Sequence, residues 1–376
     1  MLKTVGLLSG LLCSISAYAD ATSVAFDAKN WDVQATTAKF ETYLGKKSLT
    51  LQSGFATVKG VRLENVIIEY DIAFTNKHQG YLGSVWRLSD YENYERFYLR
   101  THSSGKPDSA QYTPFYNGVS AWQLYSSKQG DNYSATIKYD YEKWTHVKII
   151  VSGEQVEIYM GDMEKPVLFV EQTKGAQQAG KFGFSTEVLP KGVPFVLENA
   201  HYADFSYTPI KANVLKSKVK PATKHDNIIK HWQVSNAFSQ SDALSPDDSY
   251  LKWTKITADN TGLVNLARVQ GAHGTDTAFA QVTITSDKKQ VSALHFGFND
   301  RVKVYLNGQI IYSGNNTMGS RDYRFLGTMG YFDTLYLPLN KGKNTLSIAV
   351  TETAMLFDGW GIQAKFEDMT SIKFSD

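Results

Sequence analysis

The chain has 376 residues, 42% apolar, 20% charged and 13% aromatic, a globular composition long enough for two or three domains. Its 39 basic and 37 acidic side chains nearly cancel, which excludes the strong positive field that nucleic acid or an anionic membrane calls for. The single cysteine excludes a disulfide framework, a thiolate zinc site and an iron–sulfur cluster.

Residues 1–19, MLKTVGLLSGLLCSISAYA, read as a secretory signal peptide. Lys3 supplies the cation, Val5 to Ile15 the apolar stretch, and Ala17-Tyr18-Ala19 the small residues before the cut. The run is too short for a membrane span. Leu12 before Cys13 argues against a lipid anchor. The expectation is cleavage before Asp20 and a periplasmic or secreted protein.

Beyond the signal no segment keeps a helical period. The 22 Tyr, 20 Phe and 28 Gly against 9 Pro suit an all-β chain. Strand patterns run over Ser48–Gln52, Val61–Phe74, Arg96–Thr101, Trp144–Val151 and Gln155–Met160. In one of them Val147, Ile149 and Val151 share a face while His146, Lys148 and Ile150 share the other, the period-two mark of a half-buried antiparallel strand. The pattern breaks at Lys211–Asp226, where five lysines, a proline and no aromatic predict a solvated linker. It resumes with His231–Ser235, Thr277–Thr285, Val291–Phe298, Val302–Leu306, Thr334–Leu337 and Thr345–Val350. Asn307-Gly308 is a type I′ hairpin signal, because both turn residues need positive φ. Two successive antiparallel β-sandwiches are expected, over residues 20–210 and 227–376, with the linker at 211–226.

The segments VIIEYDIAF (Val66–Phe74), GSVWRLSD (Gly83–Asp90), NYERFYLR (Asn93–Arg100) and WTHVKIIV (Trp144–Val151) carry a resemblance to the concanavalin A-like lectin/glucanase sandwiches, laminin-G-like domains included. That resemblance spans about Phe26 to Pro209 and implies a jelly roll that binds glycans on a concave sheet face. From about His231 to Glu367 the chain resembles a smaller galactose-binding-like jelly roll. The residues that carry this are Val304–Gly308, Leu337–Leu339 and the alternating Leu346, Ile348 and Val350. Such sandwiches serve lectins, hydrolases, lyases and adhesion modules alike, so function has to be argued from the site.

The densest cluster of candidate residues is Tyr94–His102, YERFYLRTH. Strand alternation puts Tyr94, Arg96, Tyr98, Arg100 and His102 on one face, with Glu95, Phe97 and Leu99 on the core side. Trp86 and Leu88 share the core parity of the preceding strand, which places Arg87 beside the Tyr/Arg/His face. Phenol rings lie against sugar C–H faces, and guanidinium forks bind carboxylate or sulfate in bidentate fashion. No carboxylate has the same parity, so the arginines are expected to be free for a ligand. Gln111–Tyr125, QYTPFYNGVSAWQLY, adds a Pro-then-Asn-Gly turn in which Gln111, Tyr112 and Asn117 offer polar groups and Trp122 a stacking platform.

Glycoside hydrolysis needs two carboxylates about 5–5.5 Å or about 6.5–9.5 Å apart. Glu69-Tyr70-Asp71 begins the E-x-D-x-x-E strand of laminarinase-like members, but Phe74 takes the third acidic place. Glu95 is expected to be a buried partner of an arginine. A lyase would use Arg to neutralise a uronate and Tyr or His to move protons, and Arg96, Arg100, His102, Tyr98 and Gln111 are of those types. In the second half Asp300-Arg301, Arg321-Asp322-Tyr323-Arg324 and Gly359-Trp360-Gly361 form a loop-end candidate, with an Arg–Asp network that pins a loop as the simpler reading. No nucleotide, zinc-protease or serine-nucleophile motif is present, and no cofactor is expected. Loop Asp and Asn residues leave calcium open, without a calcium-loop spacing. The expected function is recognition of a polysaccharide or oligosaccharide by the first sandwich. The alternatives are a polysaccharide lyase or glycoside hydrolase with an accessory sugar-binding domain, and an adhesion or assembly module. The sequence leaves oligomeric state open.

Overall fold

The computed structural model describes residues 20–125, 133–187, 196–220, 224–242, 245–271, 276–322, 326–353 and 358–375. The expected signal peptide, and Tyr323 and Arg324 of the second-half candidate, lie outside the described residues. The fold is all-β, with three antiparallel sheets that build two sandwiches.

In the first sandwich the strand order is Gln155–Met160, Thr145–Ser152, Val66–Ala73, Ala200–Pro209, Lys46–Val58, Lys181–Thr186, Tyr81–Asp90, Asn93–Arg100 and Ala110–Tyr116. The period-two pattern does what it predicts: Val147, Ile149 and Val151 are buried, and His146, Lys148 and Ile150 are not. Val61–Phe74 is shorter than expected: Leu63 makes an isolated bridge to Gly180, and continuous pairing begins at Val66. The sheet folds into two layers at one point on the 13-residue strand Lys46–Val58. Lys46–Val58 pairs with Ala200–Pro209 through Ser48 to Leu51, then with Lys181–Thr186 through Gly54 to Thr57. Between these halves Ser53 has φ +50° and Gly54 φ +153°. A Cβ at Gly54 would lie 2.1 Å from the Gln34 carbonyl oxygen, so only glycine allows this bend. The core between the layers is aromatic. Phe184 stacks on Tyr202 at 3.8 Å and on Trp31 at 5.3 Å, and Phe205 meets Trp31 edge-on at 4.9 Å. Truncating such a ring to alanine costs about 3–5 kcal/mol.

The second sandwich packs one sheet (Trp253–Thr257, His231–Ser235, Asp276–Ser286, Gly342–Thr351, Arg301–Leu306, Gln309–Asn315) on another (Leu263–Asn265, Gly361–Phe366, Gln290–Asn299, Asp333–Leu339). Asn307 and Gly308 have φ +52° and +80°, as the hairpin signal requires. Trp360, a candidate ligand contact from the sequence, is fully buried and donates its indole N–H to the Val350 carbonyl at 3.0 Å. It is a core residue. Arg321 pairs with Asp333 at 2.5 Å, an ion pair that pins its loop.

The lysine-rich 211–226 segment is not a free tether. Its first half lies along the first sandwich: Ser152 Oγ donates to the Asn213 carbonyl at 2.7 Å, and the Leu215 N–H donates to Gln155 Oε1 at 2.7 Å. The sandwiches also touch directly. Lys174 of the first pairs with Asp259 of the second at 3.0 Å, with side chains only 3% and 8% exposed. Val119 is buried in the second sandwich's core cluster, and Leu263 in the first's.

Candidate functional site

The strands Tyr81–Asp90, Asn93–Arg100 and Ala110–Tyr116 run side by side, and the face they turn away from the core closes against loops of the second sandwich. Between the two lies a cavity of about 640 Å³. Tyr94, Arg96, Tyr98, Arg100 and Trp122 all line it, so alternation along one strand placed four of the expected residues together. A smaller cavity of about 190 Å³ lies on the second sandwich, beside Phe279, Tyr305 and Arg301.

The walls are aromatic. Tyr94 stacks on Phe115 at 4.4 Å with ring planes 13° apart, and Phe55 meets Tyr94 edge-on at 5.3 Å. Arg96 lies over the Tyr98 ring at 4.7 Å, a cation–π contact. Trp122 begins a single helical turn, Trp122–Tyr125, and remains partly exposed. Burial raises the Tyr94 and Tyr98 hydroxyls well above the usual phenol range, so both stay protonated.

The arginines are not free, which corrects the sequence reading. Arg96 donates from Nη1 to Glu187 Oε2 at 2.7 Å and from Nη2 to the Tyr81 carbonyl at 2.5 Å. Arg100 is ion-paired with Asp108. Neither acid belongs to the Tyr94–His102 strand. Parity along one strand therefore could not count them: Glu187 follows Lys181–Thr186, and Asp108 follows the turn after Arg100.

Arg87 is also misplaced by the parity argument. Its φ is +49°, and the pairing of its strand with Asn93–Arg100 shifts register between Trp86 and Asp90. The bulge turns its side chain to the opposite face. There it is 3% exposed and donates to the carbonyls of Glu64 and Gly153 and to Thr173 Oγ1, with Glu95 at 3.5 Å. Glu95 is thus the buried arginine partner expected of it, and it also accepts from the Tyr112 hydroxyl at 2.5 Å.

Tyr112 belongs to this buried network and not to the cavity, because it sits opposite Phe97 in the ladder and shares its core face. Gln111 is buried and accepts from the Tyr98 hydroxyl, so it orients that phenol from behind. Asn117 occupies the hairpin turn with φ +49° and donates to the Ala267 carbonyl at 2.7 Å, a contact between sandwiches. His102 is exposed beside Tyr81, at 5.6 Å between rings, and does not line the cavity. Desolvation, then the charges of Arg100 and Lys106, push it down to about 4, so it is neutral at pH 7. Glu69 and Asp71 lie on the far side of the sandwich, in ion pairs with His146, Lys148 and Lys46.

Sequence reasoning missed the residues that close the cavity from the second sandwich. Met318, Leu326 and Asp358 line it. Gln123 clamps that side in place. Its backbone N–H donates to the Asp358 carbonyl at 3.1 Å, its carbonyl accepts from the Met329 N–H at 2.8 Å, its Nε2 donates to the Leu326 carbonyl at 2.7 Å, and its Oε1 accepts from Asn299 at 2.9 Å. Burial pushes the Asp358 carboxyl up to about 7, a hydrogen bond from Trp122 offsets part of this, and the Glu187 charge adds to it. Only the neighbouring Gly-Trp-Gly segment signalled this region, and nothing in the sequence joined it to Tyr94–His102. No group of three or more His, Cys, Asp or Glu among the described residues is arranged to hold a metal ion. No helix among them is long and apolar enough to cross a membrane.

The fold defines an all-β protein of antiparallel sandwiches. No family model and no curated protein matches the chain. Among solved structures it is similar to the carbohydrate binding module CBM66 from Bacillus subtilis, at 16% identity over 48% of this chain and 91% of that one, with a TM-score of 0.32. It is also similar to a protein of galectin-like fold from Bacillus subtilis, at 11% identity over 49% and 91%, TM-score 0.34. A β-glucanase from Bacillus licheniformis matches at 12% identity over 50% and 94%, TM-score 0.34. The likeness is one of fold.

Proposed function

We propose that the protein, exported by residues 1–19, binds a neutral glycan in the cavity between its sandwiches. The observation that carries this is an aromatic-walled cavity of about 640 Å³ in which both arginines already have carboxylate partners. Sugars present C–H faces to rings and hydroxyls to polar groups, and the cavity has both: Tyr94, Phe115 and Trp122 beside Gln79, Ser120 and Thr186. The ion pairs of Arg96 with Glu187 and Arg100 with Asp108 favour an uncharged ligand. A uronate or sulfate would meet guanidiniums whose charge a carboxylate already offsets. The same pairing weighs against a lyase, which needs an unengaged cation to hold the uronate.

The test is affinity electrophoresis and calorimetry with laminarin, xylan and galactan as neutral polysaccharides, and alginate and polygalacturonate as anionic ones. The expected result is binding of at least one neutral polysaccharide, weakened by Trp122→Ala. Binding confined to the anionic pair, or to none, would overturn the proposal.

A further inference from the structure

We propose that the cavity also cleaves the glycan it holds, with Asp358 as general acid and Glu187 as general base for hydrolysis of a glycosidic bond. The inference rests on the reading that a glycan occupies the cavity. It uses neither Glu69 nor Asp71, which face away from it in surface ion pairs.

The geometry is that of two carboxylates brought to one cavity by two different sandwiches. Glu187 comes from the first, just beyond Lys181–Thr186, with its backbone N–H donating to the Tyr81 carbonyl at 3.1 Å. Among the described residues its carboxylate bonds Arg96 through Oε2, and its side chain is 33% exposed, which leaves Oε1 open to a water. Asp358 comes from the second sandwich and is fixed through its own backbone by Gln123. Among the described residues no cation pairs with Asp358, and the Trp122 indole is its hydrogen-bonding neighbour.

These surroundings push the two groups toward different roles. Asp358, raised to about 7, still holds a proton in a large share of molecules at neutral pH. Glu187 is the salt-bridge partner of an arginine. Burial that keeps Asp358 partly protonated gives it the acid's role, and Glu187, on the opposite sandwich and open to water, is placed for the base's.

In the step, the Asp358 carboxyl gives its proton to the glycosidic oxygen as the bond from that oxygen to the anomeric carbon breaks, its electron pair staying on the oxygen. The oxygen of a solvent water bonds to the anomeric carbon and passes a proton to Glu187. One water is consumed, an alcohol and a hemiacetal are released, and transfer of the proton from Glu187 back to Asp358 through solvent restores both groups. No metal or redox partner enters.

The experiment measures binding and new reducing ends side by side on laminarin, xylan and galactan. Wild-type protein should release reducing ends from at least one polysaccharide that it binds. Asp358→Asn, which keeps shape and removes the acid, should cut release at least roughly 100-fold with affinity and melting temperature retained. Glu187→Gln should cut release as far; because it takes the charged partner from Arg96 and endangers folding, Asp358→Asn is the deciding variant. Binding without release by the wild type, or release that survives Asp358→Asn, overturns the hydrolytic inference and leaves the binding proposal standing. Absence of binding overturns both.

Discussion

Arg96 and Glu187 stand 91 residues apart in the chain, and their side chains meet at 2.7 Å on the floor of the cavity. The guanidinium is 3% exposed and also satisfies the Tyr81 carbonyl, so it ties the end of Lys181–Thr186 to the start of Tyr81–Asp90. A group so placed is structural first. Arg96→Ala would leave the Glu187 carboxylate without its cation and take one of two donors from the Tyr81 carbonyl, at a cost of about 3 kcal/mol. Thermal and urea unfolding should both show the loss. Arg96→Lys should recover little, because an ammonium cannot serve the carboxylate and the carbonyl with one planar fork. An unchanged melting temperature for Arg96→Ala would refute this role.

Trp122 behaves differently because it is partly exposed and its ring faces the cavity. Trp122→Ala should weaken glycan binding about tenfold, roughly 1.4 kcal/mol, with a small change in melting temperature. Calorimetric titration of the best neutral polysaccharide is the measurement. An equal affinity in the variant would place the ligand elsewhere.

Lys174 and Asp259 join the sandwiches through a buried pair. Desolvation depresses the Lys174 ammonium, the attraction of Asp259 opposes this, and Lys174 lies 5.2 Å above the Tyr133 ring. Lys174→Met keeps the stem and strands the Asp259 charge, a loss of about 3–5 kcal/mol. Differential scanning calorimetry should then resolve two transitions where the wild type gives one. A single transition at the original temperature would show that the pair does not couple the sandwiches.

Glu352, 1% exposed, sets a pH dependence. Burial, then the charges of Asp300 and Asp358, raise it from 4.5 to about 10. The folded state therefore holds a proton that the unfolded chain gives up above its ordinary carboxylate pKa. The stabilisation is complete below about 4.5 and declines as pH rises toward about 10. Asp358, raised to about 7, contributes with the same sign over the lower part of that window. Melting temperature should fall from pH 5 to pH 9, and Glu352→Gln should flatten that slope. A wild-type curve that rises over this range would contradict the assignment.

The Asn93–Arg100 strand shows how far local pattern reaches. Tyr94, Arg96, Tyr98 and Arg100 line one cavity because strand alternation is a property of the backbone, and an uninterrupted strand expresses it whatever it packs against. Arg87 failed the same argument at one residue. A positive φ reverses the direction of a side chain, and no neighbouring glycine announced it. The Asn117-Gly118 and Asn307-Gly308 turns were legible because these residue types favour the left-handed region.

By itself, then, the sequence determined the all-β class, most strand positions and which side chains of Tyr94–Arg100 share a face, all consequences of short-range periodicity. Only the tertiary structure decided the charge and the closure of the cavity. Glu187 and Asp108 neutralise the arginines, and Asp358 and Leu326 arrive from a second sandwich held by Gln123 and Lys174. The physical reason is range. Side-chain direction is set by adjacent peptide units, whereas an ion pair or a cavity wall is set by which distant segments the packing of two aromatic and aliphatic cores brings within a few ångströms.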